Sequence, residues 1–447
     1  MLLSRKLFTA ILVLILSSFA LAQSVSHPEW TRNKMIYEVN IRQYTPEGTF
    51  KSFEKHIPRL KEMGVDILWL MPINPIGEKN RKGTLGSYYA VKDYLDVNPE
   101  FGTREDFRNL VDAVHNSGMY IIIDWVANHT SWDNNLTKTN PEFFMKDSLG
   151  NFTPPVADWS DVIDLNYDNK DLWKYMTDAL IYWVKDFNID GYRCDVAGMV
   201  PTEFWNQARP QLDKIKPVFM LAEWETPELH AGSFDMTYGW DLYHLFNDIA
   251  KKEKDAADVR VYTEEDKKEY PADAYRMLFI TNHDENSWNG TEFERLGDGV
   301  EAFAALTYTL PGMPLIYTGQ EIGLSKRLSF FEKDPIDWKE SKYQQFYTKL
   351  NELKHNNKAL LNGEQGGDLV YVSIQNNKEV LSFTREKDND KILVIANLSD
   401  RAVAADLKGA NLSGDYKNYF TGDKKNFSSS EIIKLGPWEY LLFTNIE

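Results

Sequence analysis

The sequence predicts a (β/α)8 barrel followed by a small antiparallel β-sandwich domain, and three observations predict it. Between residues 34 and 317, eight short apolar runs alternate with amphipathic stretches, which is the pattern of repeated βα units. After residue 360 the alternation stops, and short strand-like runs follow one another across turn residues. The length, 447 residues with 43% hydrophobic side chains, suits one large barrel and a second, smaller core.

In chain order, Arg5 and Lys6 precede an apolar run over residues 7–16, and Ala20, Leu21 and Ala22 follow as a small-residue cleavage pattern. The run is short of the roughly 20 apolar residues that span a bilayer. Residues 1–22 therefore read as a secretory signal peptide, exporting the chain to the periplasm or the exterior. Barrel strands are expected at residues 34–41, 64–70, 120–124, 190–195, 218–223, 234–237, 277–281 and 314–317. Runs this apolar suit parallel strands buried on both faces. Helices are expected around 53–63, at 104–116, 172–186 and 341–356. In the last of these, Tyr343, Phe346, Tyr347, Leu350 and Leu353 share one face. The catalytic-sized unit is thus 23–360, a TIM barrel carrying a modest inserted subdomain over 130–166 after its third strand. A C-terminal β-domain covers 366–447, with strands at 369–374, 380–384, 392–397, 432–435 and 440–444.

The formal charge of −17 argues against nucleic acid and anionic lipid as partners. Beyond the signal segment no stretch is long and apolar enough to cross a membrane, so an integral membrane protein is not expected. The one cysteine, Cys194, leaves an exported chain without an internal disulfide, and stability must come from the core. Oligomeric state has no sequence signal.

Side chains at the C-terminal ends of barrel strands converge on one site. Here those ends carry Asp124, Asn128 and His129, then Arg193 and Asp195, then Glu223, and finally Asn282, His283 and Asp284. Like charges held close together cost stability, so such a rim points to catalysis. Asp195 and Glu223, on adjacent strands, can supply the attacking and proton-donating carboxyls of glycosyl transfer with retention, which sit about 5–5.5 Å apart. Arg193, two residues before Asp195, shares its face and can keep it ionised. Trp224, Tyr238 and Trp288 lie near strand ends and are candidates for lining further subsites.

These stretches resemble the α-amylase family, glycoside hydrolase family 13, over nearly all of residues 30–447. Asp124 to His129 is similar to the family's first conserved region, Gly191 to Asp195 to the second, Glu223 to the third, and Thr281 to Asp284 to the fourth. Residues 64–72 and 312–321 resemble its flanking regions. The resemblance implies hydrolysis of α-1,4-glucosidic bonds in starch or maltodextrin, with an α-glucan substrate and no organic cofactor. Asp195 would be the nucleophile, Glu223 the general acid/base, and Asp284 the third carboxylate. Tyr89 would stack on the sugar, His129 and His283 would hydrogen-bond it, and Arg193, in the substrate-binding set with them, would serve Asp195. The same resemblance leaves open a cyclomaltodextrinase, an α-glucosidase or a transglycosylase. A catalytically silent glucan-binding protein would be expected to lose one of the three carboxylates. Many members bind calcium beside the third-strand excursion. Asn128 matches one such ligand and Asp158 and Asp161 lie nearby, but no full oxygen set is legible. Where many members carry Lys-His after the nucleophile, this chain has Gly198 and Met199.

Overall fold

The computed structural model describes residues 25–375 and 377–446. Residues 1–22, expected to form a signal peptide, lie outside the described residues. Eight parallel strands, Ile36–Val39, Ile67–Leu70, Tyr120–Trp125, Gly191–Cys194, Phe219–Ala222, Met236–Tyr238, Tyr275–Leu278 and Met313–Tyr317, close into a barrel. The register is continuous around the ring: Ile36 pairs with Ile67 on one side and with Leu315 on the other.

Alternation along each strand builds two cores. Ile36, Ile67, Trp69, Ile122, Phe219, Leu221, Met277 and Leu315 point inward and fill the barrel. Their chain neighbours Tyr37, Leu68, Ile121, Ile123, Met220 and Ala222 point outward and meet the helices. No helix of the described residues is long and apolar enough to cross a membrane.

The helices begin where short polar side chains can cap them. Thr103 and Asp106 form a reciprocal box before Arg104–Asn116, Asn169 caps Lys170–Phe187, and Ser341 caps Lys342–Asn356. The single helix expected around 53–63 is instead two, Phe50–Glu54 and Ile57–Glu62. Pro58 lacks an N–H to continue the first helix and suits the opening turn of the second.

After the third strand, His129–Ser131 pairs antiparallel with Val162–Asp164, which closes the excursion into a small subdomain. The C-terminal domain is a sandwich. A six-stranded antiparallel sheet runs in the order Asp368–Tyr371, Val380–Lys387, Asp390–Asn397, Tyr440–Asn445, Gly414–Asn418, Lys424–Phe427. A three-stranded sheet of Ser373–Ile374, Val403–Lys408 and Ser430–Leu435 packs against it. Leu393, Ile395 and Phe443 of the first sheet meet Ala405, Leu407 and Leu435 of the second. The strands 403–408, 414–418 and 424–427 had no sequence expectation; each is short and buries only one or two residues.

Candidate active site

The inward parity that fills the barrel continues past its apolar layers and delivers charge to one rim. On the fourth strand Gly191, Arg193 and Asp195 share the inner face. Gly191 leaves no room for a side chain, because a Cβ there would fall 1.8 Å from the Phe219 carbonyl oxygen. Arg193 is fully enclosed and stands at the centre. Its Nη1 donates to both oxygens of Asp124, at 2.9 and 3.1 Å, and to Asp195 Oδ1 at 3.0 Å. Its Nη2 lies 2.6 Å from Glu223 Oε1, an ion contact rather than an aligned hydrogen bond. Nε donates to the Tyr238 hydroxyl at 3.2 Å. The rings of Trp69, Tyr89 and Tyr238 surround the guanidinium, with centroids 5.0–5.8 Å from Cζ.

Asp195 and Glu223 are also tied through the backbone. The Val196 N–H donates to Glu223 Oε2 at 2.7 Å. Val196 reaches this position with φ 37° and ψ 47°, a left-handed conformation that a β-branched residue rarely adopts. Such strain costs about 1–3 kcal/mol and is held by the surrounding contacts.

The third carboxylate is set by His283. Its Nε2 lies 3.3 Å from Asp284 Oδ2 and 2.7 Å from the Tyr89 hydroxyl, while Nδ1 bonds Glu38. The Tyr89 hydroxyl in turn donates to Asp124 Oδ2 at 3.1 Å, and Trp69 Nε1 to the same oxygen at 3.2 Å.

Burial would lower the His283 imidazole, but Asp284 and Glu38 win and hold it well above its usual value. Burial likewise opposes ionisation of Asp284, and the imidazolium overcomes it, keeping the carboxyl below the usual range. Burial pushes Asp124 up to about 6 against the pull of Arg193. Burial and the facing Glu223 carboxylate raise Asp195 well above the ordinary range, with Arg193 opposing. Asp195 therefore holds a proton more readily than an ordinary carboxyl while the Glu223 carboxylate faces it. His129, 3.8 Å from Asp195, is pushed down to about 3 by burial and is neutral.

A cleft of roughly 510 Å³ opens over this rim. Asp195, Glu223, Asp284, Tyr89 and His129 face into it. Its apolar walls are Trp159, Phe330, Phe331 and Trp288. Trp288 and Phe330 have ring centroids 5.2 Å apart, and Phe330 stacks toward Tyr89 at 6.2 Å. Lys82 bridges the barrel to the subdomain across the mouth, 3.0 Å from Asp161 Oδ1.

Three expectations are corrected. Arg193 was expected to touch substrate, but it is sealed beneath the carboxylates and its contacts are with them. His283, 1% exposed, stands behind Asp284 and Tyr89 rather than in the cleft wall. Tyr238 is fully buried under Arg193 and lines no subsite.

Asn128 is buried with its amide nitrogen 3.3 Å from His129 Nδ1, and Asp161 is engaged by Lys82. Lys82 also donates to the Asp158 carbonyl at 2.9 Å. Among the described residues no three His, Cys, Asp or Glu side chains converge as ligands.

Sequence reasoning passed over Glu38, Trp69, Phe330 and Phe331. Glu38 and Trp69 carry a usable signal, since each shares the inward parity of an apolar barrel strand. Phe330 and Phe331 sit in an irregular loop, where no periodicity points at the cleft.

Comparison with known proteins follows the same lines. The model of the α-amylase catalytic domain matches residues 23–149 and 156–390, and that of the maltogenic amylase C-terminal domain matches 371–442. A noncanonic maltogenic α-amylase, AmyB, from Thermotoga neapolitana is similar with a TM-score of 0.86 and 32% identity, over 93% of this chain and 99% of that one. An α-amylase from Lactobacillus plantarum has a TM-score of 0.84 and 33% identity, over 93% and 99%. Among curated sequences, α-amylase MalA of Haloarcula japonica is 25% identical over 87% of this chain, which spans 60% of that relative's length.

Proposed function

Because the chain belongs to the α-amylase family of glycoside hydrolases, we propose that it cleaves α-1,4-glucosidic bonds of starch or maltodextrin with retention of configuration. The observation that carries this reading is the single guanidinium of Arg193, shared between Asp195 and Glu223. Two carboxyls bridged in this way favour the short separation of a retaining pair over the wider gap that admits a water.

In this reading Asp195 attacks the anomeric carbon, and Glu223 gives its proton to the departing oxygen. Glu223 then takes a proton from the incoming water, and the ester to Asp195 is released. Asp284, kept ionised by His283, grips sugar hydroxyls, and Tyr89 with Phe330 offers an apolar face to the ring. Arg193 is a positioning residue. It orients both carboxyls, and its charge favours ionised Asp195 once Glu223 holds the proton.

The maltogenic match of the C-terminal domain favours release of small products over random internal cleavage. A product time course on amylose, cyclodextrin and maltotetraose, with Asp195→Asn alongside, tests both points. Maltose-sized products from the outset, absent in the variant, are expected. Near-normal turnover by Asp195→Asn would sink the nucleophile assignment.

Export belongs to the same proposal. Arg5, Lys6, the apolar run and Ala20 to Ala22 support it, and the catalytic-domain match begins at residue 23.

A further inference from the structure

Arg42, Arg193, Arg209 and Arg276 are buried, and each holds a carboxylate at 2.8–3.2 Å. Among the described residues, Arg385 and Lys354 are the buried cations that hold none. They stand together at the seam between the barrel and the C-terminal domain. Arg385, 2% exposed, donates through Nε to the Gly367 carbonyl at 2.9 Å and through Nη1 to the Thr309 and Leu310 carbonyls at 3.1 and 3.2 Å. Those last two carbonyls end the helix Val300–Thr309, whose dipole offsets part of the charge. Lys354 gives its three N–H groups to the Gly312 and Leu360 carbonyls and to Asn362 Oδ1. Burial and the Arg385 charge depress the Lys354 ammonium well below its usual value, and burial pushes Arg385 down to about 10. A buried charge without a counter-ion is destabilising, and here two of them share one place.

A cavity of roughly 450 Å³ opens on this seam, with Arg385, Leu310, Gly312 and Gly366 in its wall. Nε and Nη1 of Arg385 are spent on carbonyls. Nη2 has no hydrogen-bond partner among the described residues and is the donor left for the cavity. Gly366 keeps it uncovered, since a Cβ there would lie 2.6 Å from Nη2 and 2.3 Å from the Leu361 carbonyl oxygen. Most wall carboxylates already have a cation. Asp266 pairs with Arg276, Glu264 with Arg260, Asp368 with Lys267 and Glu386 with Lys391, at 2.8–3.3 Å. Glu364 is the exception, and it is exposed. The aromatic walls do not invite a neutral sugar. Arg276 Cζ lies 3.8 Å over the Tyr270 ring and Arg260 Cζ 5.1 Å over Tyr371, so one face of each is taken. A neutral ligand would also leave the Arg385 charge uncompensated.

We propose that this cavity binds an oxyanion, a phosphate or carboxylate group that pairs with Arg385 Nη2 and locks the C-terminal domain to the barrel. It shares no wall residue with the cleft over the carboxylate rim, so it stands apart from the glycosidase reading. A guanidinium gives an oxyanion short, charge-assisted hydrogen bonds, and the anion supplies the counter-charge that Arg385 and Lys354 lack. Arg385 belongs to the C-terminal strand Val380–Lys387 and bonds carbonyls of the barrel. Neutralising it therefore stabilises the contact between the two domains.

The test melts the full chain in sodium phosphate, sodium acetate and sodium chloride at equal ionic strength. An anion bound to the folded state raises Tm with its concentration. Wild type should melt higher in phosphate or acetate than in chloride. The increment should vanish in R385K, which keeps a charge but loses the planar fork. A gain in phosphate alone identifies a phosphate group as the ligand, and a gain in acetate alone a carboxylate. General salting effects act on both proteins alike, so an equal gain in wild type and R385K overturns the site. Should R385K not fold, Leu369→Trp gives the same comparison, because it enlarges a half-buried wall residue and leaves Arg385 in place. Equilibrium dialysis of labelled phosphate and acetate against wild type needs no variant. Saturable binding of one of them is expected, weakened about 10-fold or more by the substitution, the order of one lost charge-assisted contact. Binding of neither overturns the proposal.

Discussion

At the scale of single residues, the account turns on which groups hold a proton and which hold a geometry. Arg193 contacts Asp124, Asp195 and Glu223 from a fully buried position, so it fixes the three together. Glu223, by contrast, reaches the cleft with one oxygen on Arg193 and the other on the Val196 N–H. Glu223→Gln keeps the side chain's size and removes the acid. The variant should lose at least about 100-fold on maltooligosaccharides, the usual scale of general acid catalysis, and much less in forming the glycosyl-enzyme from aryl glycosides with good leaving groups. Burst kinetics would separate that step from the later attack of water, and equal losses in it on both substrate types would remove Glu223 from the acid role. Much of this site was legible in sequence, because charge at the end of an apolar strand has few structural reasons to exist. Tyr238 was misread because proximity to a strand end does not say whether a side chain faces the cleft or lies under it.

At the scale of elements, the barrel strands were legible since their apolar runs are buried on both faces, and parity then assigns each inward residue. The turn after the fourth strand was not. Nothing in the sequence announces that Val196 adopts a left-handed conformation, which is the residue's response to holding its N–H on Glu223. Val196→Gly should relieve strain that costs about 1–3 kcal/mol while adding about 1 kcal/mol of unfolded-chain entropy. Its stability should stay within about 1 kcal/mol of wild type by thermal melting, unlike an ordinary Val→Gly change. Turnover should fall as the donor to Glu223 loosens. A large loss of Tm would show that the conformation is relaxed rather than strained. The split helix before the second strand and the three unexpected C-terminal strands share a cause. Short elements that bury few residues leave too weak a period to read.

At the scale of the whole molecule, the C-terminal sandwich is fastened to the barrel rather than tethered. Arg385 Nη1 donates to the Thr309 and Leu310 carbonyls of the barrel, Trp438 packs on Phe303, and Phe420 stacks on Phe346. The aromatic residues that the described part of this domain contributes are buried or half-buried, several of them against the barrel. That pattern fits a buttress to the barrel. Two domains and their order could be read from the change in periodicity near residue 360, but this fastening could not, because it depends on contacts between distant segments. The N-terminal segment is tested by the chain itself: protein recovered outside the cytoplasm should begin at Gln23. An exported chain that still begins at Met1 would rule out cleavage.

The central claim, retaining cleavage by the Asp195 and Glu223 pair, is tested most directly by the anomeric form of the first product. Proton NMR of maltotetraose hydrolysis, followed from the first minutes, should show the newly formed reducing end as the α-anomer, with the β-anomer appearing only through mutarotation. First appearance of the β-anomer would contradict a covalent intermediate on Asp195 and require a water between the two carboxyls.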